Sequence, residues 1–135
     1  MSSDTSLYQM LDRSMPVAPL AIIALPSATE LGQKVSQYIS SFRKSVDEEG
    51  GAVPFHDDYY KDNYLLNVSL ERSPTGEGRA VLLESARGKD VFILVYVMNW
   101  TVTYPMNGFI NHMSPDDHFQ DLKRVLSAIQ GKARR

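Results

Sequence analysis

Apolar positions along the chain form short continuous runs and two longer stretches with a helical repeat. The run from Leu20 to Leu25 is closed by Pro26, which predicts a strand buried on both faces, as in a parallel sheet. The run from Val91 to Val97 is nearly all apolar and predicts a central strand. Segments Tyr64 to Glu71 and Arg79 to Glu84 predict two further strands, and the Pro and Gly residues between them are typical of a hairpin.

The two helical stretches each begin with a capping signal. Ser27 and Glu30 have the spacing of a capping box, and an apolar stripe that should face the sheet follows them. The residues of this stripe are Leu31, Val35, Ile39, Phe42 and Val46. Ser114 followed by Pro115 predicts the start of a second helix, which Gly131 should end. Its buried stripe is Phe119, Leu122, Val125, Leu126 and Ile129.

The order of these elements predicts the fold class. Strand, helix, hairpin, strand and helix follow one another, so the chain should form an α/β domain with a mostly parallel sheet, one β-hairpin and helices packed on the sheet. Residues 1–17 predict a polar amino-terminal arm, and residues 18–135 predict a single α/β domain. Residues 98–113 predict a long connection, rich in apolar residues, before the last helix.

Composition excludes several classes of function. With 135 residues, of which 43% are apolar, the chain can bury one core. A formal net charge of −2 gives no general attraction to nucleic acid or anionic lipid. The absence of cysteine excludes disulfides, thiol catalysis and Cys-ligated zinc, and it fits a reducing compartment. With no signal peptide and no apolar run long enough to cross a bilayer, the expectation is a cytoplasmic chain without a membrane or nucleic acid partner.

Charged and imidazole side chains give no pattern that predicts a catalytic residue or a metal ligand. The pair Asp116-Asp117 fits the first turn of a helix, where acids oppose the helix dipole. The pair Asp57-Asp58, next to His56, fits either a hard-cation site or a solvated loop. His112 and His118 flank a predicted helix start, and surface or capping roles are expected for both.

Aromatic residues are concentrated in the middle of the chain, between Phe55 and Phe109. Tyr and Trp in predicted loops are typical of a protein interface or a stacked ligand, although the 98–113 connection could also fold back and bury its own rings. Tyr96 follows the central strand, where open α/β sheets bind ligands. The residues predicted to form an interface are Tyr59, Tyr60, Tyr96, Trp100 and Tyr104.

One segment resembles a known family. Residues 84–92, Glu-Ser-Ala-Arg-Gly-Lys-Asp-Val-Phe, are similar to the Glu-Ser-Val-Arg-Gly-Lys-Asp-Val-Phe run of the amino-terminal domain of ribose-phosphate pyrophosphokinase. Ile22 to Lys34 and Asp121 to Ile129 also resemble that domain. The resemblance implies a phosphoribosyltransferase-like, Rossmann-like fold. For the full-length family it implies pyrophosphoryl transfer from Mg-ATP to ribose 5-phosphate in an oligomer.

The same resemblance implies nucleotide-binding residues in the predicted hairpin turn. The family carries an Arg-Phe-x-Asp-Gly-Glu loop there, which helps to hold adenine. Arg72, Gly76 and Glu77 match this loop and are the nucleotide-binding residues that it implies. Ser73 stands in place of the aromatic residue and Thr75 in place of the aspartate, so adenine should bind more weakly than in the family.

These observations lead to one main expectation for function and two alternatives. The main expectation is an isolated amino-terminal domain of a ribose-phosphate pyrophosphokinase-like protein, inactive alone and without a cofactor, because the family's pentose-phosphate loop does not occur before Arg135. The first alternative is a non-catalytic protein-binding or assembly module, a homo-oligomer or the partner of another protein, that uses the Tyr-rich loops and Tyr96. The second is a Mg-nucleotide binder that uses Arg72, Glu77 and Arg87.

Overall fold

The computed structural model describes residues 18–48, 59–131 and 133–135, which form a mixed α/β structure. The strands are β1 (Leu20–Ala24), β2 (Val68–Arg72), β3 (Gly78–Leu82), β4 (Asp90–Leu94), β5 (Thr103–Met106) and β6 (Phe109–His112), and the helices are α1 (Thr29–Glu48) and α2 (Pro115–Ile129). A short 3-10 helix, Pro26–Ala28, directly precedes α1. The predicted arm over residues 1–17 and the pair Asp57-Asp58 lie outside the described residues.

β1 and β4, the strands that the two apolar runs predict, pair with each other in parallel. Residues 64–66 lie along the other side of β1, because the Ile22 N–H donates to the Tyr64 carbonyl at 2.8 Å and Ile22 accepts from the Leu66 N–H at 2.8 Å. The strand predicted from Tyr64 therefore begins later, at Val68, where the chain leaves β1. On the outer side of β4, the Val91 N–H donates to the Arg135 carbonyl at 2.8 Å.

The other two strand pairs, β2–β3 and β5–β6, are antiparallel hairpins, so in the described part of the chain one pair of three is parallel. The expectation of a mostly parallel sheet fails because the predicted connection over residues 98–113 is itself a hairpin. Asn107 and Gly108 have φ angles of 50° and 80°, the conformation of a two-residue type I′ turn. The Asn-Gly pair in the sequence is the signal for this turn.

The main core lies between the β1–β4 pair, the β2–β3 hairpin and α2. Its buried residues are Ala21, Ile23, Leu25, Leu66, Ala86, Val125 and Ile129. Because strand side chains alternate between the two faces, Ala21 and Ile23 point toward this core, whereas Ala24 points toward α1. Neither helix of the described residues is both long enough and apolar enough to cross a membrane.

α1 makes its closest contact with the sheet through small residues, which lie beside the predicted apolar stripe. Its buried residues are Gly32, Ser36 and Ser40, whereas Leu31 of the stripe is 53% exposed. A Cβ atom placed on Gly32 would lie 2.4 Å from the Cβ of Ala24, so the helix backbone approaches β1 closely. The helical repeat located α1 correctly, but the centre of the buried face lies one residue along from the predicted stripe, because the close approach leaves no room there for a branched side chain. The other stripe residues, Val35, Ile39, Phe42 and Val46, are half-buried beside it.

The two helices begin differently. α2 begins as predicted: the Asp117 N–H donates to the Ser114 hydroxyl at 3.2 Å, and the Ser114 N–H donates to the Asp117 carboxylate at 2.8 Å. The predicted capping box of Ser27 with Glu30 does not form. Ser27 is buried, and its hydroxyl accepts a hydrogen bond from the Tyr96 N–H at 3.0 Å. The Ser27 hydroxyl therefore bonds to Tyr96, which is distant in sequence, and does not cap its own helix.

We expect Gly32→Ala to lower the free energy of unfolding by about 1–3 kcal/mol, because the added methyl group overpacks the contact with Ala24. In an exposed helix position the same change would stabilise by about 1 kcal/mol, so the sign of the effect is diagnostic. Urea unfolding of the two proteins measures it, with the exposed Ser41→Ala as the control. A gain in stability from Gly32→Ala would contradict the close approach of α1 to β1.

Candidate functional site

A pocket of about 510 Å³ lies at the carboxyl ends of β1 and β4, where α1 begins. The 3-10 helix and the first turn of α1 form one wall, and Tyr96 and Asn99 form the other. Small-molecule sites occupy roughly 300–1,000 Å³, and open α/β sheets bind ligands at this edge. The pocket therefore has the size and position of a ligand site.

Hydrogen bonds fix the turn after β4 that forms the second wall. The Tyr96 N–H donates to the Ser27 hydroxyl at 3.0 Å, and the Asn99 side-chain amide donates to the Ser27 carbonyl, also at 3.0 Å. His118 of α2 lies 2.8 Å from the Asn99 carbonyl through Nε2, which must be the protonated nitrogen for this contact. The expectation of a surface or capping role for His118 was wrong, because the side chain is buried and holds this turn against α2.

Two charged side chains at the pocket wall neutralise one another. The Lys34 ammonium lies 2.6 Å from the Glu30 carboxylate, and both are exposed. The hydrogen bond and the charge of Lys34 hold the pKa of Glu30 below its ordinary value, so the Glu30 carboxyl is ionised at neutral pH. The remaining positive potential at this wall comes from the N-terminal backbone of α1.

The residues that the resemblance implies for nucleotide binding lie in the β2–β3 hairpin, away from the pocket. The Arg72 guanidinium lies 3.2 Å from the Asp121 carboxylate and donates to the Gly76 carbonyl at 3.2 Å. It also lies 4.6 Å from the centre of the Tyr104 ring. Gly76 has a φ of 89° and forms the turn, while Glu77 is exposed. Arg72 therefore braces this hairpin against α2, and its guanidinium is engaged by protein groups.

Asp121 is the centre of a buried ion cluster that the sequence analysis missed. Its carboxylate also lies 2.7 Å from the Arg124 guanidinium, and the side chains of Asp121 and Arg72 are only 6% and 12% exposed. One signal was present: His118, Asp121 and Val125 recur at helical spacing on one buried face of α2. A carboxylate in such a stripe indicates a buried cationic partner.

The five residues predicted to form an interface fall into separate groups. Tyr59 and Tyr60 pack beside α1, with the Arg43 guanidinium 4.0 Å from the Tyr59 ring centre. Tyr104 lies against Arg72, as described above. Tyr96 and Trp100 follow β4 and are 56% and 62% exposed. The described contacts thus place only Tyr96 and Trp100 together in one exposed turn.

Further exposed apolar residues follow this turn, in a stretch from Met98 to Met113 that contains no Asp, Glu, Lys or Arg. We refer to this stretch as the uncharged segment. Phe109 and Ile110 in β6 are 74% and 70% exposed. Trp100 stacks on the His112 ring at 4.8 Å between ring centres, with 6° between the planes. A run without charge in a chain that is 22% charged was the signal for this surface.

No family model, curated protein or solved structure matches this chain. Across the described ranges, no group of three or more His, Asp or Glu side chains could hold a metal ion. The geometry of the described residues supports two candidate sites. One is the pocket at the carboxyl ends of β1 and β4, and the other is the uncharged segment beside it.

We expect Asp121→Asn to lower the free energy of unfolding by about 3–5 kcal/mol, because it leaves Arg72 and Arg124 without a counter-charge in a mostly buried cluster. Lys34→Gln is the matched control: it breaks the exposed pair with Glu30 and should leave the unfolding midpoint nearly unchanged. Urea unfolding of both variants measures the difference. Equal, small effects from the two substitutions would contradict a structural role for the cluster.

Proposed function

We propose that this chain is a non-catalytic assembly domain with a ribose-phosphate pyrophosphokinase-like fold, which associates with a second copy through the uncharged segment. The observation that carries the proposal is the exposure of Trp100, Phe109 and Ile110 in a segment without Asp, Glu, Lys or Arg. Exposed apolar side chains that lie together mark interaction sites, and interface cores are enriched in aromatic residues and depleted of charge.

The surface is held in one conformation, which favours binding. The type I′ turn at Asn107-Gly108 fixes the hairpin. His112 Nδ1 lies 2.7 Å from the Trp100 carbonyl, and the two rings stack. Asn99 is hydrogen-bonded to Ser27, as described above. A surface ordered before association loses less conformational entropy when it binds.

The order of the elements supports the family part of the proposal. The turn Arg87-Gly88-Lys89 leads into β4, which pairs with β1, and the β2–β3 hairpin lies where the resemblance puts the adenine loop. The engagement of Arg72 by Asp121 supports a non-catalytic role for that hairpin. Its substituted positions, Ser73 and Thr75, favour the same role.

We expect the wild-type chain to self-associate at micromolar concentration, and Trp100→Ala to weaken this association by about tenfold or more, as for other aromatic interface anchors. Sedimentation equilibrium over a range of concentrations measures both. Tyr38→Ala is the matched control, because Tyr38 is a similarly exposed aromatic residue on α1. A monomeric wild type, or an equal loss from Tyr38→Ala, would contradict the proposal.

A second candidate function is the binding of a small anionic ligand in the pocket. The pocket's position at the start of α1 and the exposed Tyr96 ring beside it favour this function. The exposed Tyr96 ring favours a ligand with an aromatic base. Because the Glu30–Lys34 pair carries no net charge, the ligand should carry only a modest negative charge.

We expect Mg-ATP at millimolar concentration to raise the melting temperature of the wild-type chain, and Tyr96→Ala to reduce that shift. Ribose 5-phosphate, which lacks a base, should give a smaller shift. Pyrophosphoryl transfer from ATP would release AMP, and none should accumulate when both compounds are present. The absence of any thermal shift would argue against the pocket as a ligand site, and AMP production would contradict the non-catalytic assignment.

A further inference from the structure

The register of the β5–β6 hairpin determines which backbone groups its two strands share. Met106 is paired with Phe109 across the two-residue turn, and in such a hairpin this pair exchanges hydrogen bonds. Four residues further from the turn on each strand, the Met113 N–H donates to the Val102 carbonyl at 2.9 Å. Bonded and non-bonded pairs alternate between these two ends.

Ile110 and His112 occupy the non-bonded positions of β6, so their N–H and C=O groups point away from β5. Within the described residues, neither N–H group has a hydrogen-bond acceptor. The outer edge of β5 differs, because the residue opposite Ile110 is Pro105, which has no N–H to offer. The hairpin thus has one edge that is open to a further strand and one that is partly closed.

The open edge lacks the features that keep exposed strands apart. Natural edge strands are commonly protected by Lys, by other charges, by proline or by a covering element. β6 has none of these among its own residues, and both Phe109 and Ile110 are mostly exposed. Two identical copies of this edge would bring no like charges together, because the uncharged segment contains no acidic or basic side chain apart from His112. The edge therefore suits a second copy of itself.

We propose that β6 pairs with β6 of a second copy, antiparallel, about a two-fold axis at Asn111. Ile110 then lies opposite His112 of the other copy, and the two symmetry-related pairs exchange about four N–H···O=C hydrogen bonds. The contact is isologous and closes as a dimer. This inference rests on the proposed self-association and specifies its geometry.

The stacked rings have a defined place in this arrangement. Trp100 covers His112 on its own copy. Since directly opposite residues of an antiparallel pair point to the same face, Ile110 of the second copy lies on the face where Trp100 stacks. Trp100 thus provides an apolar contact beside the backbone hydrogen bonds between the two copies. The Trp100 ring anchors the dimer, and the hydrogen bonds set the register of the two β6 strands.

Ile110→Pro tests the geometry, because it removes the outward N–H and leaves the bonds between β5 and β6 in place. Ile110 is mostly exposed, so little packing within the monomer is lost. We expect the dimer Kd to rise by about a hundredfold, since the two-fold axis removes two hydrogen bonds at once. Ile110→Val keeps the N–H and the shape of a β-branched side chain, and its Kd should stay within about threefold of wild type. Circular dichroism verifies the fold of both variants.

Amide hydrogen exchange of the wild-type chain provides a measurement that does not depend on any variant. The N–H groups of Ile110 and His112 should be protected at concentrations where the dimer forms and exchange rapidly after dilution. If Ile110→Pro remains dimeric, or if these two amides exchange equally fast at all concentrations, the edge geometry is overturned. In that case dissociation by Trp100→Ala would still support assembly through the uncharged segment. A monomeric wild type would overturn both proposals.

Discussion

The parallel pairing of β1 with β4 is the constraint on which the rest of the structure depends. Because parallel strands end at the same edge, this pairing brings the start of α1 next to the turn after β4. Ser27 and Tyr96, which are 69 residues apart in sequence, then meet in a hydrogen bond. The pocket lies between these two walls, and the uncharged segment begins where the second wall ends.

A second constraint, the Asp121 cluster, determines how the two hairpins are placed. Arg72 connects β2 to α2 through Asp121, and it also covers the Tyr104 ring of β5. The Asn107 N–H donates to the Pro74 carbonyl at 3.2 Å, so the tips of the hairpins are also joined. Since β5 faces the β2–β3 hairpin through these contacts, β6 is the strand of its hairpin that remains open. The buried ion pair of Arg72 with Asp121 thus helps to hold β5 toward the β2–β3 hairpin, and the edge of β6 on the far side of β5 is left exposed.

The pocket and the uncharged segment share one turn of the chain. Tyr96 and Asn99 line the pocket, and Trp100, the next residue, stacks on the hairpin that carries the open edge. His118 of α2 holds the same turn through its hydrogen bond to the Asn99 carbonyl. Because both surfaces depend on the position of this short turn, a ligand that shifts the turn would also shift Trp100. The two candidate functions are therefore physically compatible in one domain.

The sequence alone determined the features whose signals are local. Apolar runs predicted β1 and β4, the Ser114 N-cap followed by Pro115 predicted the start of α2, and Pro and Gly predicted the β2–β3 hairpin. The Asn107-Gly108 turn was equally local but was interpreted as part of a connection. Only the tertiary structure decided which face of α1 is buried, where Asp121 finds its partners and which strand edge stays open. Each of these depends on backbone approach or charge pairing between residues far apart in sequence, and no local repeat records such a partner.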